Sequence, residues 1–340
     1  MPIATKDEYL ELMQRAKDGK FAYPAINVAN FETLCAAIEG FNEAKSDGFV
    51  QFSLGAGAHA TGEIKDSVLG AKMLAEAAHQ IAARYPSKII LHTDHCIPSK
   101  AEAFLTPLLD ISAERVAAGQ APLFCSHMFD GSELPLAENI KTAKKFMEKS
   151  KANGMLLEIE TGVVGGEEDG IDNSDVAAEK LYTSPEDMIT VYGELKDIAP
   201  FLYAATFGNV HGVYKPGNVK LSPHILKDGQ AAVAEKFSLP DNSLNLVFHG
   251  GSGSTVEEIH ETLDYGVIKM NIDTDTQYAF TRPVADHIMK NYDGVLRIDG
   301  EVGNKKTYDP RSYLKLGRNN MKKRVMRGAD ELRSSGKSKS

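Results

Sequence analysis

The sequence has few cysteines and no excess of basic residues, and both deficits exclude classes of protein. Cys35, Cys96 and Cys125 are an odd number and form no CxxC pair, which argues against a disulfide framework and favours reduced thiols in the cytoplasm. Basic residues number 38 against 47 acidic ones, for a formal net charge of −9. A chain of this charge is not expected to bind nucleic acid or an anionic membrane.

Long apolar stretches are also missing. No run approaches the roughly 18 residues that a membrane-spanning helix needs, and residues 1–7 lack the basic and then apolar pattern of a signal peptide. We therefore expect a soluble, cytoplasmic protein without a membrane partner.

The most unusual stretch is the polar run His92-Thr93-Asp94-His95-Cys96, which follows an apolar, strand-like segment. Two imidazoles and a carboxylate are costly to place at the end of a buried strand unless they bind a metal or move protons. A polar patch stabilised only by hydrogen bonds is the alternative.

Eight short apolar runs alternate with segments of helical periodicity, which predicts a closed (β/α)8 TIM barrel. A doubly wound open sheet is the alternative. We expect one domain over residues 1–340, with the barrel at about 21–290, an N-terminal helix at 6–18, a C-terminal helical extension at about 309–333 and a frayed tail from residue 334. The predicted strands are 21–28, 49–54, 88–94, 122–128, 154–160, 201–208, 244–249 and 267–274.

Five of the ten histidines are predicted to follow strands, whereas His59 falls in a Gly/Ala loop. The five are His92, His95, His127, His211 and His249. Catalytic groups of such barrels come from the carboxyl ends of strands. A trio from three different strand ends, two of them beside glycines, fits a catalytic zinc site better than isolated structural imidazoles. The trio is His95, His211 and His249.

Acidic side chains supply a second group of candidates. Glu158 and Glu160 lie two residues apart at the end of the fifth predicted strand and share one side of it. The following segment 162–183 contains glycines around Glu167-Glu168-Asp169. It is predicted to be a long mobile lid that carries a proton-transfer group, with a solvated acidic loop as the alternative.

The last two strand-to-helix connections indicate a phosphorylated ligand. Residues 249–254 (HGGSGS) and 271–276 (NIDTDT) each lead into a predicted helix. Backbone N–H groups at such helix starts bind anions, and loops after strands seven and eight are the common phosphate site of these barrels.

Seven motifs together resemble the class II fructose-bisphosphate aldolases, in particular their longer, dimeric subgroup. They cover nearly the whole chain in the expected order: HTDHC at 92–96, SHMFDGS at 126–132, LEIETGVVGGEEDG at 157–170, FGNVHGVYKPGNVKL at 207–221, FHGGSGS at 248–254, KMNIDTDTQYAFTRP at 269–283 and YDPRSYLK at 308–315. The resemblance implies a glycolytic lyase. It would be a homodimer that cleaves fructose 1,6-bisphosphate reversibly with Zn²⁺, and a monovalent cation (Na⁺ or K⁺) would lie near the phosphate.

The resemblance also implies a role for individual residues. Asp94 matches the proton donor, and Glu168 matches the group that moves a proton at C1 of the three-carbon ketone. The metal ligands would be His95, His211 and His249, with Asp130 and Glu160 at a second or alternate position. The substrate-binding residues would be Asn27, Ser53, Gly212, Lys215, Gly250, Gly251, Ser252, Asn271, Ile272, Asp273, Thr274 and Arg311. The run Leu54-Gly55-Ala56-Gly57 departs from the polar residue and glycine pair usual after Ser53.

Three other functions remain open from the sequence. Lys269 in the eighth predicted strand is a candidate for Schiff-base catalysis without a metal. An aldolase specific for tagatose 1,6-bisphosphate would share the mechanism. A protein that only binds zinc or a phosphorylated sugar would not need Asp94 and Glu168.

Overall fold

The computed structural model describes residues 2–168, 171–172, 181–211, 221–296 and 303–339. The barrel strands are β1 Tyr23–Asn27, β2 Gly48–Phe52, β3 Ile89–Thr93, β4 Ser126–Asp130, β5 Leu156–Thr161, β8 Leu202–Ala205, β10 Leu246–Phe248 and β11 Val267–Ile272. These eight parallel strands close into a barrel in the order β1-β2-β3-β4-β5-β8-β10-β11, with β11 paired to β1. The closed barrel is confirmed and the open sheet is wrong.

Helices surround the barrel and bury their apolar sides against the strands. Their starts follow local signals, such as the Ser184 cap and the proline at the first position of the helix Pro185–Leu195. The helices are α1 Lys6–Gly19, α2 Phe31–Ala44, α3 Leu54–Ala60, α4 Ser67–Ala82, α5 Pro98–Ala117, α6 Leu136–Ala152, α7 Pro185–Leu195, α8 His224–Phe237, α9 Val256–Asp264, α10 Thr274–Lys290, α11 Tyr292–Val295, α12 Lys305–Tyr308 and α13 Pro310–Glu331. None of these described helices is both long and apolar enough to cross a membrane.

Two sequence predictions about local structure are wrong. The fourth strand was expected at 122–128, but its pairing with β5 begins at Ser126 and continues to Asp130. His127 lies inside β4, and His92 lies inside β3, rather than after these strands. His59 lies in α3 rather than in a loop, because the Ser53 hydroxyl accepts a hydrogen bond from the Ala56 N–H and caps that helix.

The long connection after β5 forms part of a small sheet where it is described, and its role as a mobile lid stays a prediction. Gly165–Glu168 forms β6, which pairs in antiparallel fashion with β7 (Ile171–Asp172) and in parallel with β9 (Val210–His211). This small sheet joins the connection after β5 to the connection after β8. Residues 169–170 and 173–180 of the predicted lid lie outside the described residues.

The C-terminal tail is docked, so the prediction of fraying is wrong. Helix α13 packs on α2 and α10, and the tail then crosses the amino-terminal end of the barrel. The Ser338 hydroxyl and the Lys339 N–H donate to the Asp47 carboxylate at 2.7 and 2.8 Å. Asp47 also accepts from the Lys88 N–H at 2.7 Å. The assignment of the whole chain to one domain stays a prediction.

Candidate metal and catalytic site

Two histidines and a glutamate converge inside the carboxyl end of the barrel. Glu160 Oε2 lies 3.3 Å from His95 Nε2 and 3.5 Å from His249 Nδ1. The candidate ligand atoms of these three side chains all lie within 4.8 Å of one another. His95 reaches the cluster because β3 ends at Thr93 and the chain turns there, which lets Asp94 and His95 face the same cavity.

The outer nitrogen of each imidazole faces a carboxylate. His95 Nδ1 lies 3.3 Å from Asp94 Oδ1, and His249 Nε2 lies 2.7 Å from Glu158 Oε1. A carboxylate on the far nitrogen is typical of metal-binding histidines, since it fixes the tautomer and aims the other nitrogen at the metal. His95 therefore presents Nε2 and His249 presents Nδ1 to the centre of the cluster.

Glu160 fits a metal ligand by its surroundings. Its side chain is buried, yet neither oxygen makes a hydrogen bond of regular geometry to a described residue. Burial raises the pKa of Glu160, but His249 and His95 outweigh this effect and lower the pKa to about 2. An ionised carboxylate beside two imidazoles is a donor set that suits zinc, so the residues present fit a divalent metal ion.

The third predicted ligand, His211, is placed only by its backbone, since its side chain lies outside the described residues. The preceding residue, Val210, lies against Gly250, and a Cβ on Gly250 would come within 2.5 Å of the Val210 carbonyl oxygen. The Asn209 amide also donates to the His249 carbonyl at 2.9 Å. The connection that carries His211 is therefore fixed beside the loop that carries His249.

Asp94 is held at the mouth of the barrel by two amides. Asn27 Nδ2 donates to Asp94 Oδ2 at 2.6 Å, and Asn271 Nδ2 donates to Oδ1 at 3.2 Å. Burial raises the pKa of Asp94, but His95, followed by Lys269, outweighs burial and holds the pKa well below its usual value. Gln51, which was not predicted from the sequence as a site residue, donates to Asn27 Oδ1 at 2.5 Å and orients that amide.

Asp130 ends β4 next to Glu160, its register partner on β5. Its Oδ1 accepts hydrogen bonds from the Ser132 hydroxyl at 2.6 Å and the Ser132 N–H at 3.0 Å. Burial and the Glu160 charge raise the pKa of Asp130. Its assignment as a second metal ligand stays a prediction.

The predicted phosphate loops are neighbours because β10 pairs with β11, with Phe248 opposite Met270. Gly250 adopts a φ of +63°, and Ser252 is buried in the loop after β10. After β11, Asp273 precedes the first turn of α10, which begins at Thr274. Ile272 is buried in the core, so only its backbone is available for a ligand.

A cavity of about 230 Å³ lies beside the mouth of the barrel. Asn27, Ser53 and Asp273 line it together with His59 from α3. The first three are predicted from the sequence to bind the substrate, and the structure brings them together.

Other assigned residues are not joined to the cluster. The Arg311 side chain is 87% exposed at the start of α13 and is paired with Asp309 at 2.6 Å. Gly212 and Lys215 lie outside the described residues, as does the side chain of Glu168. The roles of these four residues stay predictions.

A buried ion pair below the cluster was missed by the sequence analysis. Lys269 Nζ donates to both oxygens of Glu158, at 2.9 and 3.1 Å, and both side chains are fully buried. Burial raises the pKa of Glu158, but Lys269, His92 and His249 together outweigh burial and leave the pKa lowered. An ammonium held by a carboxylate is not the free amine that Schiff-base chemistry needs. Strand alternation was the available signal, because it places Lys269 on the same side of β11 as Asn271.

Comparison with known proteins shows the family to which the chain belongs. The family model described as fructose-bisphosphate aldolase class-II matches residues 7–337. A fructose-bisphosphate aldolase of Mycobacterium leprae is 54% identical over 343 residues, covering 99% of each chain. A class 2 fructose-bisphosphate aldolase of Escherichia coli is 45% identical, covering 97% of this chain and 95% of the relative.

A solved structure indicates the same family. The fructose-bisphosphate aldolase of Campylobacter jejuni superposes with a TM-score of 0.88 at 41% identity, covering 99% of this chain and 97% of the other. A match of this extent shows a shared family and not only a shared fold. The chain therefore belongs to the class II fructose-bisphosphate aldolases, a family of metal-using lyases.

Proposed function

We propose that the protein catalyses the zinc-dependent, reversible aldol cleavage of fructose 1,6-bisphosphate to dihydroxyacetone phosphate and glyceraldehyde 3-phosphate in glycolysis and gluconeogenesis. The observation that carries this proposal is the convergence of His95 Nε2, His249 Nδ1 and Glu160 Oε2 beside the hydrogen-bonded carboxylate of Asp94. Family membership supports the same reaction.

His95, His211 and His249 would hold the catalytic zinc, with Asp130 and Glu160 available at a second or alternate position. When bound, the metal supplies a Lewis acid that stabilises the negative charge developing on the ketone half of the substrate. The resemblance further implies a monovalent cation beside the phosphate loops.

Asp94 would act as the acid and base at the bond that breaks. In cleavage it accepts the proton of the C4 hydroxyl as the C3–C4 bond breaks and the electron pair passes to the three-carbon ketone half. In condensation it returns this proton to the aldehyde oxygen. The amides of Asn27 and Asn271 hold the carboxylate in place for this transfer. Glu168 would move the proton at C1 of the three-carbon ketone.

The two phosphate groups would be bound at opposite ends of the substrate. The ketone phosphate would occupy the loops after β8, β10 and β11, and the aldehyde half would contact Asn27, Ser53 and Arg311. Binding energy from these remote groups fixes the reacting carbons relative to Asp94 and the metal. The ketone-phosphate residues are Gly212, Lys215, Gly250, Gly251, Ser252, Asn271, Ile272, Asp273 and Thr274.

We further propose a cytoplasmic homodimer. The resemblance to the dimeric subgroup supports this assembly. Tyr278, Met289 and Tyr292 on α10 and α11 are large side chains that stay exposed in the single chain, as expected of a surface that a second copy covers.

Replacing Asp94 by alanine tests the catalytic assignment. The variant should still bind zinc, although about 10–100-fold more weakly because Asp94 also faces His95 Nδ1. At saturating zinc it should lose about 10²–10⁴-fold in kcat, the usual contribution of a general acid or base. Zinc content and steady-state kinetics measure the two quantities. Unchanged turnover would remove Asp94 from the mechanism.

A coupled assay with fructose and tagatose bisphosphates, with and without a chelator, tests the reaction itself. Fructose 1,6-bisphosphate should be preferred, and the chelator should abolish activity until zinc is restored. A preference for tagatose 1,6-bisphosphate would indicate the other aldolase, and no turnover of either sugar would indicate a binding protein. A borohydride-trapped adduct on Lys269 would contradict the metal mechanism.

A further inference from the structure

A polar layer lies inside the barrel directly below the metal cluster. Glu158 and Lys269 precede Glu160 and Asn271 by two residues on β5 and β11, so they point into the barrel one layer deeper. Barrel interiors of this type are filled mainly by branched apolar side chains. A fully buried ion pair at this depth therefore needs a reason other than packing.

Glu158 links this layer to the metal cluster. Its Oε1 accepts a hydrogen bond from His249 Nε2 at 2.7 Å, and its Oε2 lies 3.4 Å from His92 Nε2. The contacts continue away from the cluster, from His92 Nδ1 to Ser126 Oγ at 2.8 Å and from Ser126 Oγ to Tyr9 OH at 3.1 Å. Side chains from β3, β4, the loop after β10 and helix α1 thus form one connected series of contacts that includes this carboxylate.

Lys269 fixes the rotation of that carboxylate. Its ammonium contacts both oxygens of Glu158 and lies 5.6 Å from the centre of the Phe49 ring. Because Lys269 contacts both oxygens, rotation of the Glu158 carboxylate would break a buried contact to the ammonium. Its Oε1 therefore stays aimed at His249 Nε2.

We propose that Glu158 and Lys269 are positioning residues for the metal: Glu158 fixes the ring of His249 so that Nδ1 faces the metal, and Lys269 holds Glu158 in that orientation. The imidazole of His249 has two nitrogens, and rotation of the ring would exchange them. The hydrogen bond from Nε2 to Glu158 selects one of the two orientations. This inference rests on the proposed zinc site and adds two residues to it, neither of which touches the metal or the substrate.

Single substitutions are poor tests, because each leaves one buried charge without its partner and destabilises the fold. Two double variants avoid this problem. Glu158→Met/Lys269→Met removes both charges and the acceptor for His249, whereas Glu158→Gln/Lys269→Met removes both charges and keeps an amide oxygen as an acceptor. The two variants have similar volume and no charge at these positions, so they differ chiefly in the hydrogen bond to His249.

Zinc affinity should distinguish the two double variants. We expect Glu158→Met/Lys269→Met to bind zinc 10–100-fold more weakly than the wild type, the usual effect of losing such an outer partner. Glu158→Gln/Lys269→Met should bind zinc about tenfold more tightly than Glu158→Met/Lys269→Met. Competition with a chromophoric chelator measures the affinity. The visible absorption of the Co²⁺-substituted proteins reports the ligand geometry, and only the methionine variant should show a clearly altered spectrum.

Leu157→Met on the same strand is the matched control. It changes a buried apolar side chain of β5 with nearly conserved volume and should leave zinc affinity and the cobalt spectrum unchanged. Equal zinc affinities and equal cobalt spectra for the two folded double variants would overturn the proposal. A wild-type protein that binds no zinc would instead refute the proposed function, so the two failures are distinguishable.

Discussion

Replacing Gly250 by alanine perturbs the contact between two loops that carry proposed metal ligands. Gly250 has a φ of +63°, and its Cβ would lie 2.5 Å from the Val210 carbonyl oxygen and 2.7 Å from the carbonyl carbon. The backbone conformation alone costs about 1–2 kcal/mol for a residue other than glycine. Relief of the overlap requires a backbone shift of about 1 Å, at a further cost of about 1–3 kcal/mol.

The shift should displace the proposed zinc ligand His211, because Val210 directly precedes it in β9. A misplacement of about 1 Å in a catalytic site costs about 10²-fold in rate. We therefore expect Gly250→Ala to lower the free energy of unfolding by about 2–5 kcal/mol. It should also weaken zinc binding and reduce kcat by about 10²-fold.

Gly154→Ala is the matched control for backbone strain. Gly154 has a φ of +73° between α6 and β5, and a Cβ there would meet nothing within 4 Å. This variant should lose only about 1–2 kcal/mol of stability and keep its zinc affinity and kcat. Urea unfolding of the metal-free proteins, zinc competition and steady-state kinetics give the three quantities. Equal stability, zinc affinity and kcat in Gly250→Ala and Gly154→Ala would refute the effect of the loop contact on the metal site.

Three further predictions concern a buried histidine, an amide at the active site and the tail. Burial lowers the pKa of His127 to about 3, against about 6.5 when unfolded; protonation therefore favours unfolding, and stability falls as the pH drops below about 6.5. Between pH 7 and pH 5, the free energy of unfolding of His127→Phe, measured with urea, should fall by about 2 kcal/mol less than that of the wild type. Equal falls in the two proteins would contradict this. Asn27→Ala removes a hydrogen bond to Asp94 and should reduce kcat about 10–100-fold, with unchanged zinc affinity. An unaltered kcat would show that this amide is dispensable. Asp47→Ala removes three hydrogen bonds and should lower the free energy of unfolding by about 3 kcal/mol. It should also speed carboxypeptidase trimming of the tail without changing kcat. A tail that resists trimming as before would count against this anchor.

Local patterns were sufficient for most of the architecture. Apolar runs buried on both sides and helices with one apolar side depend on residues near one another in sequence, so their alternation predicts the barrel. The placement of Asp94, His95 and His249 follows from the same patterns, because polar residues after buried strands must face the mouth of a closed barrel. The start of β4 and the α3 helix were missed, since an apolar run does not reveal where pairing begins and Ser53 was not identified as a cap.

The sequence by itself determined the alternation of strands and helices, the strand ends that carry the proposed ligands and the motifs of the family. Only the tertiary structure decided which side chains meet across the barrel. Glu158 and Lys269 are 111 residues apart, and Asp47 and Lys339 are 292 residues apart. Such pairs depend on the register and closure of the whole sheet, which no local pattern specifies. The nitrogen of His249 that faces the metal was decided in the same way, by a carboxylate from another strand.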